Sequence, residues 1–260
     1  MLAKKSLGQN FLMHRQTAER IVGAALLPEN AQVLEIGPGT GMLTRELLNA
    51  GMRVIAVESD YVLIPELEET FRNEIEEGTL TLERADIRTF DTTSIKGTYH
   101  LVANIPYYIT GEIIRQFLTS PNQPASMTLL VQKEVAIRIA REKKESLLSL
   151  SVKVYGVPNY CFTVPRGAFK PAPNVDSAVL RIGNISRTGF TDASEEERFF
   201  EVIRAGFAHK RKRLAKNLEE KFSKEMVAGA FGAAVLDANV RAEDLSLETW
   251  KVLTRELKSS

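Results

Sequence analysis

Short apolar runs alternate with amphipathic stretches along the first half of the chain. The apolar runs are QVLEI, RVIAV, LTLERAD, YHLVAN and MTLLVQ, and stretches such as TRELLNA and GEIIRQFL separate them. This alternation predicts repeated βα units. Parallel strands that are buried on both faces should be nearly continuous in Val, Ile and Leu, as RVIAV and MTLLV are. The pattern therefore predicts an α/β fold with a doubly wound sheet.

The pattern changes after MTLLV. SLSVKVYG fits a helix or a strand, whereas YCFTV and SAVLRI predict a closing pair of strands on either side of the proline-rich loop VPRGAFKPAPNVD. The polar stretch GNISRTGFTDASEEE then indicates a domain boundary. Beyond it, FFEVIRAGFAHKRKRLAKNLEEKF, KEMVAGAFGAAVL and SLETWKVLTREL have helical spacing. We therefore predict a first domain over residues 1–183 and a small all-α domain over 184–260.

The composition describes an ordinary globular protein, with 44% hydrophobic and 26% charged residues in 260. No run of apolar residues is long enough to cross a membrane and no apolar segment follows the basic N-terminus, so we expect a cytoplasmic protein with no membrane contact. The one cysteine, Cys161, cannot form an internal disulfide or build a zinc site, so we expect a buried structural thiol and no metal. The net charge is only +1, so an argument for a nucleic-acid partner depends on where the charges lie.

Three alternating glycines mark the turn between the first apolar run and the next helix. Gly37, Gly39 and Gly41 lie in VLEIGPGTGMLT, where the backbone can approach a ligand closely. The dinucleotide fingerprint G-x-G-x-x-G would need a glycine where the chain has Met42, which argues against a nicotinamide oxidoreductase. The acidic residue Glu35 followed by G-x-G-x-G resembles motif I of S-adenosylmethionine-dependent methyltransferases. An ordinary strand-to-helix turn is the alternative interpretation.

Acidic residues stand at the ends of the next two predicted strands. Glu58 ends RVIAVE, where a carboxylate can accept hydrogen bonds from two ribose hydroxyls. Asp86 ends LTLERAD, where it can accept from an adenine amine while Ile87 covers the ring. Each alone is equally typical of a solvated carboxylate. Together with the glycines they define one crevice, because ligands bind outside the carboxyl ends of parallel strands.

The fourth strand end carries the tetrapeptide Asn104–Tyr107, N-I-P-Y, which resembles motif IV of methyltransferases that modify exocyclic amines. An adenine amine is a poor nucleophile, and acceptors at the Asn104 carboxamide and the Ile105 carbonyl would favour a pyramidal nitrogen with an available lone pair. Pro106 fixes the backbone, and Tyr107 offers a face for an unstacked base. A strand end with a proline turn and core aromatics is the alternative. The neighbouring Tyr108 fits the core or the base pocket equally well.

Several segments together resemble the ribosomal RNA adenine dimethyltransferases over nearly the whole chain, and more closely the kasugamycin-resistance enzymes of small-subunit rRNA. These segments are KKSLGQNFL, VLEIGPGTGMLT, VESD, RADI, ANIPYYIT, LLVQKEVAIRIA, FKPAPNVDSAVLRI and RAEDLSLETW. The resemblance implies a Rossmann-like class I methyltransferase fold. It also implies S-adenosylmethionine as methyl donor, and dimethylation of two adjacent adenines near the 3′ end of 16S rRNA. The substrate would be a pre-assembled small subunit, late in ribosome assembly. Separately, we expect the protein to be a monomer. Cofactor-contacting positions of the family match Asn10, Leu12, Gly37, Glu58, Asp86 and Asn104.

The sequence also departs from the family pattern. Many members have leucine where this chain has Ile105, and N-I-S-T-P where it has YITGE. REKKESLLSLSV lacks the Tyr-Gly pair of many relatives. Isoleucine at this place also occurs in erythromycin-resistance methyltransferases, which act on 23S rRNA of the large subunit. The loop FKPAPNVDSAVLRI and the C-terminal RAEDLSLETW favour the small-subunit enzyme. A large-subunit or DNA methyltransferase and a non-catalytic RNA-binding assembly factor remain as alternatives.

A cluster of basic residues in RAGFAHKRKRLAKNL predicts the RNA contact. On a continuous helix these cations would crowd into little more than three turns, where they could bind phosphates without reading sequence. A solvated helix face balanced by Glu219 and Glu220 is the alternative. The predicted RNA-binding residues are Arg204, Lys210, Arg211, Lys212, Arg213 and Lys216, with Lys4, Lys5, Arg138 and Arg141 as further candidates.

Overall fold

The computed structural model describes residues 9–257. The chain divides into two compact units. The first comprises the chain up to Ile137 together with Val157–Ile185, and the second comprises Arg138–Gly156 together with the chain from Ser186 onward. The last division follows Ile185, close to the predicted boundary after residue 183. The segment 138–156, which the sequence prediction assigned to the first domain, packs with the second unit.

The first unit contains two sheets within the described residues. The small one pairs β1 (Phe11–Leu12) with β8 (Phe169–Lys170), antiparallel. The large one has the strand order β4-β3-β2-β5-β6-β9-β7. Its strands are β2 (Gln32–Ile36), β3 (Arg53–Glu58), β4 (Leu80–Arg84), β5 (Tyr99–Asn104), β6 (Ser126–Gln132), β7 (Val157–Val164) and β9 (Ser177–Gly183).

Strands β4, β3, β2, β5 and β6 are parallel to one another in this sheet, β9 is antiparallel to β6, and β7 is antiparallel to β9. The predicted α/β fold is confirmed, including the closing pair of strands. Strands β3 and β4 extend the sheet on one side of β2, and β5 and β6 extend it on the other, so the strand order switches between β2 and β5. Ligands bind at such a switch point. The helices that accompany these strands are α1 (Arg15–Ala25), α2 (Met42–Asn49), α3 (Ile64–Thr70), α4 (Arg72–Glu76), α5 (Thr110–Thr119) and α6 (Lys133–Ala140), the last of which crosses the division after Ile137.

Apolar side chains of the parallel strands form the core of the first unit. Val33 and Ala56 are fully buried, as nearly continuous apolar strands predict. Leu43 and Leu47 of α2 pack in the same cluster, which also contains Phe71. The packing holds the carboxyl ends of the strands in fixed positions, and these ends carry the predicted site residues.

The second unit is helical within the described residues. Its helices are α7 (Leu147–Lys153), α8 (Ala193–Gly206), α9 (Leu214–Leu218), α10 (Lys224–Ala233) and α11 (Leu247–Glu256). The ambiguous stretch SLSVKVYG thus forms mainly the helix α7, whose N-terminus Ser146 caps. Trp250 and Phe199 are almost completely buried in this unit.

One prediction for the second unit was wrong. The stretch from Phe199 to Phe222 is not one helix, because α8 ends at Gly206 and α9 begins only at Leu214. A Cβ atom on Gly206 would lie 2.3 Å from the Trp250 ring, so this glycine is required for close packing. The buried Asn217 donates from Nδ2 to the carbonyl oxygens of Gly206 (2.6 Å) and His209 (3.1 Å). These bonds stabilise the non-helical connection.

Candidate active site

A cavity lies at the carboxyl ends of β2, β3, β4 and β5, where the sequence predicted a crevice. Its lining brings together most of the predicted catalytic and cofactor-binding residues, and it includes Tyr108. The predicted residues that line it are Asn10, Gly37, Gly39, Glu58, Asp86, Ile87, Asn104, Ile105, Pro106 and Tyr107.

Two predicted cofactor residues do not line this cavity. Leu12 is 4% exposed and belongs to the hydrophobic core of the first unit. Gly41 precedes α2 with a φ of 77°, and a Cβ atom there would lie 2.4 Å from the Phe71 ring. The structure thus gives both residues packing roles: Leu12 anchors β1, and Gly41 lets α2 start against Phe71.

The glycine turn is tied to the end of β3. The Gly37 amide donates to the Val57 carbonyl oxygen at 2.9 Å, and the Gly39 amide donates to Glu58 Oε2 at 3.2 Å. Gly39 has a φ of 60°, and a Cβ atom on it would lie 2.9 Å from the Phe11 ring. A larger residue would therefore strain the turn and displace Phe11, which also lines the cavity.

Glu58 is a buried carboxylate held by backbone donors. Its Oε1 accepts from the Asp60 amide at 2.8 Å, while Oε2 accepts from Gly39. Burial raises the pKa of Glu58, and the backbone hydrogen bonds oppose that shift. The neighbouring Glu35 is 1% exposed, and burial raises its pKa to about 8, with a smaller contribution from the Glu58 charge. The two carboxyls therefore lie in an environment that disfavours a second negative charge.

Asp86 is paired with a residue that the sequence analysis missed. The Arg88 side chain donates to both carboxylate oxygens, with Nε at 3.0 Å from Oδ1 and Nη2 at 2.6 Å from Oδ2, and its amide donates to Oδ1 at 2.9 Å. These hydrogen bonds lower the pKa of Asp86. The available signal was local, because Asp86 caps the short 3₁₀ helix Ile87–Thr89 and places the residue at i+2 beside its carboxylate.

Asn104 is oriented by the segment before β1. Its Nδ2 donates to the Asn10 carbonyl oxygen at 2.9 Å, so Oδ1 is the atom available to accept a hydrogen bond in the cavity. The following Ile105 is 2% exposed. A buried side chain here fixes the backbone whose carbonyl was predicted as the second acceptor. Asn10 thus orients the Asn104 side chain, which is a role beyond the predicted cofactor contact.

The two tyrosines differ in their surroundings. The Tyr107 hydroxyl is 2.6 Å from Ser177 Oγ on β9, and burial raises the pKa of this tyrosine. Ser177 is fully buried and was not among the predicted site residues. Tyr108 is 66% exposed while still lining the cavity, which excludes the core position that the sequence left open.

The predicted RNA-binding residues lie apart from this cavity along the chain, in the second unit, and most are exposed. Lys212 Nζ is 2.8 Å from Glu220 Oε1, and Lys216 Nζ is 2.7 Å from Glu219 Oε2. Within the described chain, Lys210 and Arg211 make no ion pair. Arg204 is in the last turn of α8, and Arg213 immediately precedes α9. Lys4 and Lys5 lie outside the described residues.

Residues 9–257 contain neither a metal-binding cluster nor a membrane-spanning helix. No group of three or more His, Cys, Asp and Glu side chains there is arranged to hold a metal ion. No helix in the same residues is long and apolar enough to cross a bilayer. Cys161 is only partly buried, less than the sequence predicted, and its Sγ is 3.8 Å from the Asn159 carbonyl oxygen.

Comparison with known sequences identifies the family. A family model described as ribosomal RNA adenine dimethylase matches residues 1–258. The chain belongs to this family. The resemblance inferred from the sequence motifs is thus confirmed, and with it an enzyme class that methylates adenines of ribosomal RNA. The family assignment also agrees with the resemblance of the tetrapeptide at the end of β5 to motif IV.

Members of the family with curated names are similar over almost the full length. The chain is 42% identical over 260 residues to the ribosomal RNA small subunit methyltransferase A of Dehalococcoides mccartyi, covering 98% of this chain and 88% of that protein. It is 37% identical to the protein of the same name from Streptococcus gordonii, covering 98% and 92%.

Two solved structures have the same fold. The crystal structure of the 23S rRNA methyltransferase ErmE matches with a TM-score of 0.77 and 28% identity, covering 95% of this chain and 99% of that one. A dimethyladenosine transferase from Plasmodium falciparum matches with a TM-score of 0.77 and 23% identity, covering 94% and 95%. The Rossmann-like fold predicted from the sequence is confirmed.

Proposed function

We propose that this enzyme uses S-adenosylmethionine to dimethylate the exocyclic amines of two adjacent adenines near the 3′ end of 16S rRNA, late in small-subunit assembly. The observation that carries the chemistry is the position of Asn104. Its carboxamide is held by Asn10 with the oxygen as the available acceptor, in a cavity that also contains Glu58 and Asp86. The similarity to proteins named small subunit methyltransferase A supports the choice of rRNA.

The cavity residues fit the nucleoside part of the cofactor. Glu58 and Asp86 offer carboxylates to ribose hydroxyls and an adenine amine, and Ile87 offers an apolar surface to the base. Among the described lining residues, Arg88 is the one with a permanent positive charge, and it is paired with Asp86. This set suits a ligand without phosphates better than a dinucleotide. The residues proposed to hold the cofactor are Asn10, Gly37, Gly39, Glu58, Asp86, Ile87 and Asn104.

The catalytic contribution of the protein is positioning and electrostatics. Asn104 Oδ1 and the Ile105 carbonyl oxygen accept hydrogen bonds from the two N–H groups of the target amine, which favours a pyramidal nitrogen with an available lone pair. Pro106 has no amide hydrogen and fixes the backbone that presents this carbonyl. Tyr107, held by Ser177, offers its ring to the unstacked adenine. S-adenosylmethionine, when bound, supplies the methyl group, and no general base is needed before transfer.

The proposed RNA contact uses Arg204, Lys210, Arg211, Lys212, Arg213 and Lys216. Cations at these positions bind phosphates and release condensed counterions, which gives affinity without sequence specificity. The proposal includes a pre-assembled small subunit as substrate. We also propose that the enzyme acts as a monomer and is located in the cytoplasm.

A large-subunit methyltransferase is the second candidate function. Ile105 and the similarity to ErmE favour it. The higher identity to the small-subunit relatives, 42% against 28%, favours the first candidate. Both candidates use the same cavity chemistry, so they differ only in the RNA that is recognised.

The deciding experiment uses labelled S-adenosylmethionine with two substrates, unmethylated small subunits and protein-free 23S rRNA, followed by mapping of dimethyladenosine. We expect label at paired adenines near the 3′ end of 16S rRNA. Label in 23S rRNA would instead identify a resistance-type enzyme. RNA binding without any label would identify a non-catalytic assembly factor.

A further inference from the structure

Arg88 lies between the candidate cofactor cavity and a second surface groove. It lines the cavity together with Asp86, and it lines the neighbouring groove on α5 together with Glu112 and Arg115. Tyr108 lines both as well. Arg88 and Tyr108 are therefore placed where a ligand in the cavity and a ligand on the surface would meet.

Three N–H groups of Arg88 occupy most of the acceptor sites of Asp86, because the single Nε hydrogen is shared between the two carboxylate oxygens. Oδ1 accepts from the Arg88 amide and from Nε, and Oδ2 accepts from Nε at 3.1 Å and from Nη2 at 2.6 Å. An ionised carboxylate has about four lone-pair sites. A further donor such as an adenine amine therefore competes with Arg88 for this carboxylate.

The groove next to Arg88 has the chemistry of an RNA-binding surface. Arg88 and Arg115 contribute two positive charges against one negative charge from Glu112, and all three side chains are exposed. A guanidinium binds phosphate through two parallel hydrogen bonds, as it binds a carboxylate. Tyr108 adds an exposed aromatic face on which a base can stack.

We propose that Arg88 is an exchange contact between cofactor and RNA: the cofactor's adenine amine takes its place on Asp86, and Arg88 then binds a phosphate of the RNA. This proposal rests on the proposed function, because it needs a nucleoside at Asp86 and an RNA at the groove. Each ligand removes the competitor of the other, so the two bind with positive coupling, and coupling between sites is reciprocal. Arg88 also becomes a residue that favours assembly of the complete enzyme–cofactor–RNA complex.

The test measures binding of tritiated S-adenosylhomocysteine by equilibrium filtration, with and without unmethylated small subunits. In the wild-type protein we expect the subunits to lower the dissociation constant by about fivefold or more. In Arg88→Gln we expect tighter binding without subunits, because Asp86 is released, and no further change when subunits are added. Thermal unfolding of the variant verifies that it is folded.

Arg115→Gln is the matched control. This arginine lines the same groove and lies four residues before the end of α5, and no hydrogen bond joins it to Asp86 in the described chain. We expect it to weaken subunit binding while keeping the coupling. Wild-type protein that binds S-adenosylhomocysteine equally well with and without subunits would overturn the inference, and so would coupling that persists in Arg88→Gln. Wild-type protein that does not bind S-adenosylhomocysteine at all would overturn the proposed function, and the inference with it.

Discussion

The cavity at the strand ends differs from the basic segment, residues 207–213, in how its side chains are held. In the cavity, Asn104 and Glu58 are held by hydrogen bonds to backbone groups, and the Gly39 amide of the glycine turn donates to Glu58. In the basic segment, the cations from Lys210 to Arg213 are exposed, and Lys212 is held by an ion pair with the exposed Glu220. The first region is fixed in geometry, whereas the second mainly concentrates charge.

The difference follows from what each region is proposed to do. Methyl transfer requires the reacting atoms to be aligned, so small displacements of Asn104 are costly. Phosphate binding requires positive charge near a flexible polyanion and tolerates rotation of a lysine side chain. Solvent screens an exposed ion pair strongly, so the pair of Lys212 with Glu220 can give way to a phosphate at little cost.

The largest expected effect comes from the cavity. Asn104→Ala removes the acceptor for the target amine, so we expect methyl transfer to fall by about 10²-fold. Binding of S-adenosylhomocysteine should be largely retained, because Glu58 and Asp86 are intact. Single-turnover methylation and equilibrium binding, measured on the same preparation, separate the two effects. A fully active variant would contradict the role of Asn104.

Replacing the four cations Lys210, Arg211, Lys212 and Arg213 by glutamine should lower the affinity for small subunits by about tenfold at moderate salt. The slope of log affinity against log salt should flatten by roughly 0.7–0.9 for each phosphate contact that is lost. Cofactor affinity should not change. Subunit binding at several salt concentrations is the measurement, and an unchanged slope would show that the segment is only a solvated surface.

Glu35→Gln tests the cost of the buried carboxyl beside the cavity. The folded pKa of Glu35 is about 8 against an ordinary value of 4.5, so between these pH values the folded state keeps a proton that the unfolded state has lost. Stability should therefore fall as pH rises through this range, and glutamine should make the fall smaller. The melting temperature as a function of pH measures this effect.

The exposed Glu29 provides the control for that experiment. Glu29→Gln should keep the pH dependence of the wild type. If Glu35→Gln does not differ from this control, Glu35 is charged in the folded protein at neutral pH.

Ser177→Ala should give the smallest effect. The change removes the partner of the half-buried Tyr107 hydroxyl, so we expect a loss of about 1 kcal/mol in the free energy of unfolding. The methylation rate should fall a few-fold, with KM for S-adenosylmethionine unchanged, because the tyrosine ring is less well positioned. Denaturant unfolding and steady-state kinetics provide both numbers. A changed KM for the cofactor would contradict a role limited to Tyr107.

The sequence predicted the cavity well because its residues follow a local pattern. Each parallel strand is an apolar run, and the residue after the run, such as Glu58 or Asn104, is placed at the shared edge of the sheet. The fold class could be predicted for the same reason. Only the order in which the strands lie side by side in the sheet had to come from the three-dimensional structure.

What the sequence could not predict are contacts between distant parts of the chain. Asn104 bonds to Asn10, 94 residues away, and Tyr107 bonds to Ser177, 70 residues away. Neither contact leaves a periodic signal. The end of α8 at Gly206 was missed because it depends on packing against Trp250. The charge pattern of the basic segment is helix-compatible, and tertiary packing overrides it.

The pairing of β1 with β8 also affects the order in which a nascent chain can complete its methyl-transfer site. Phe11 pairs with Lys170, and the carbonyl that holds Asn104 belongs to the residue just before Phe11. At a translation rate of 5–20 residues per second, β8 leaves the ribosome roughly ten to thirty seconds after β1. During that interval the four strand ends that line the cavity can already form, whereas β1 cannot yet pair with β8. The residues that give the enzyme its chemistry are thus synthesised in the first half of the chain, but the last support of Asn104 arrives only with the second.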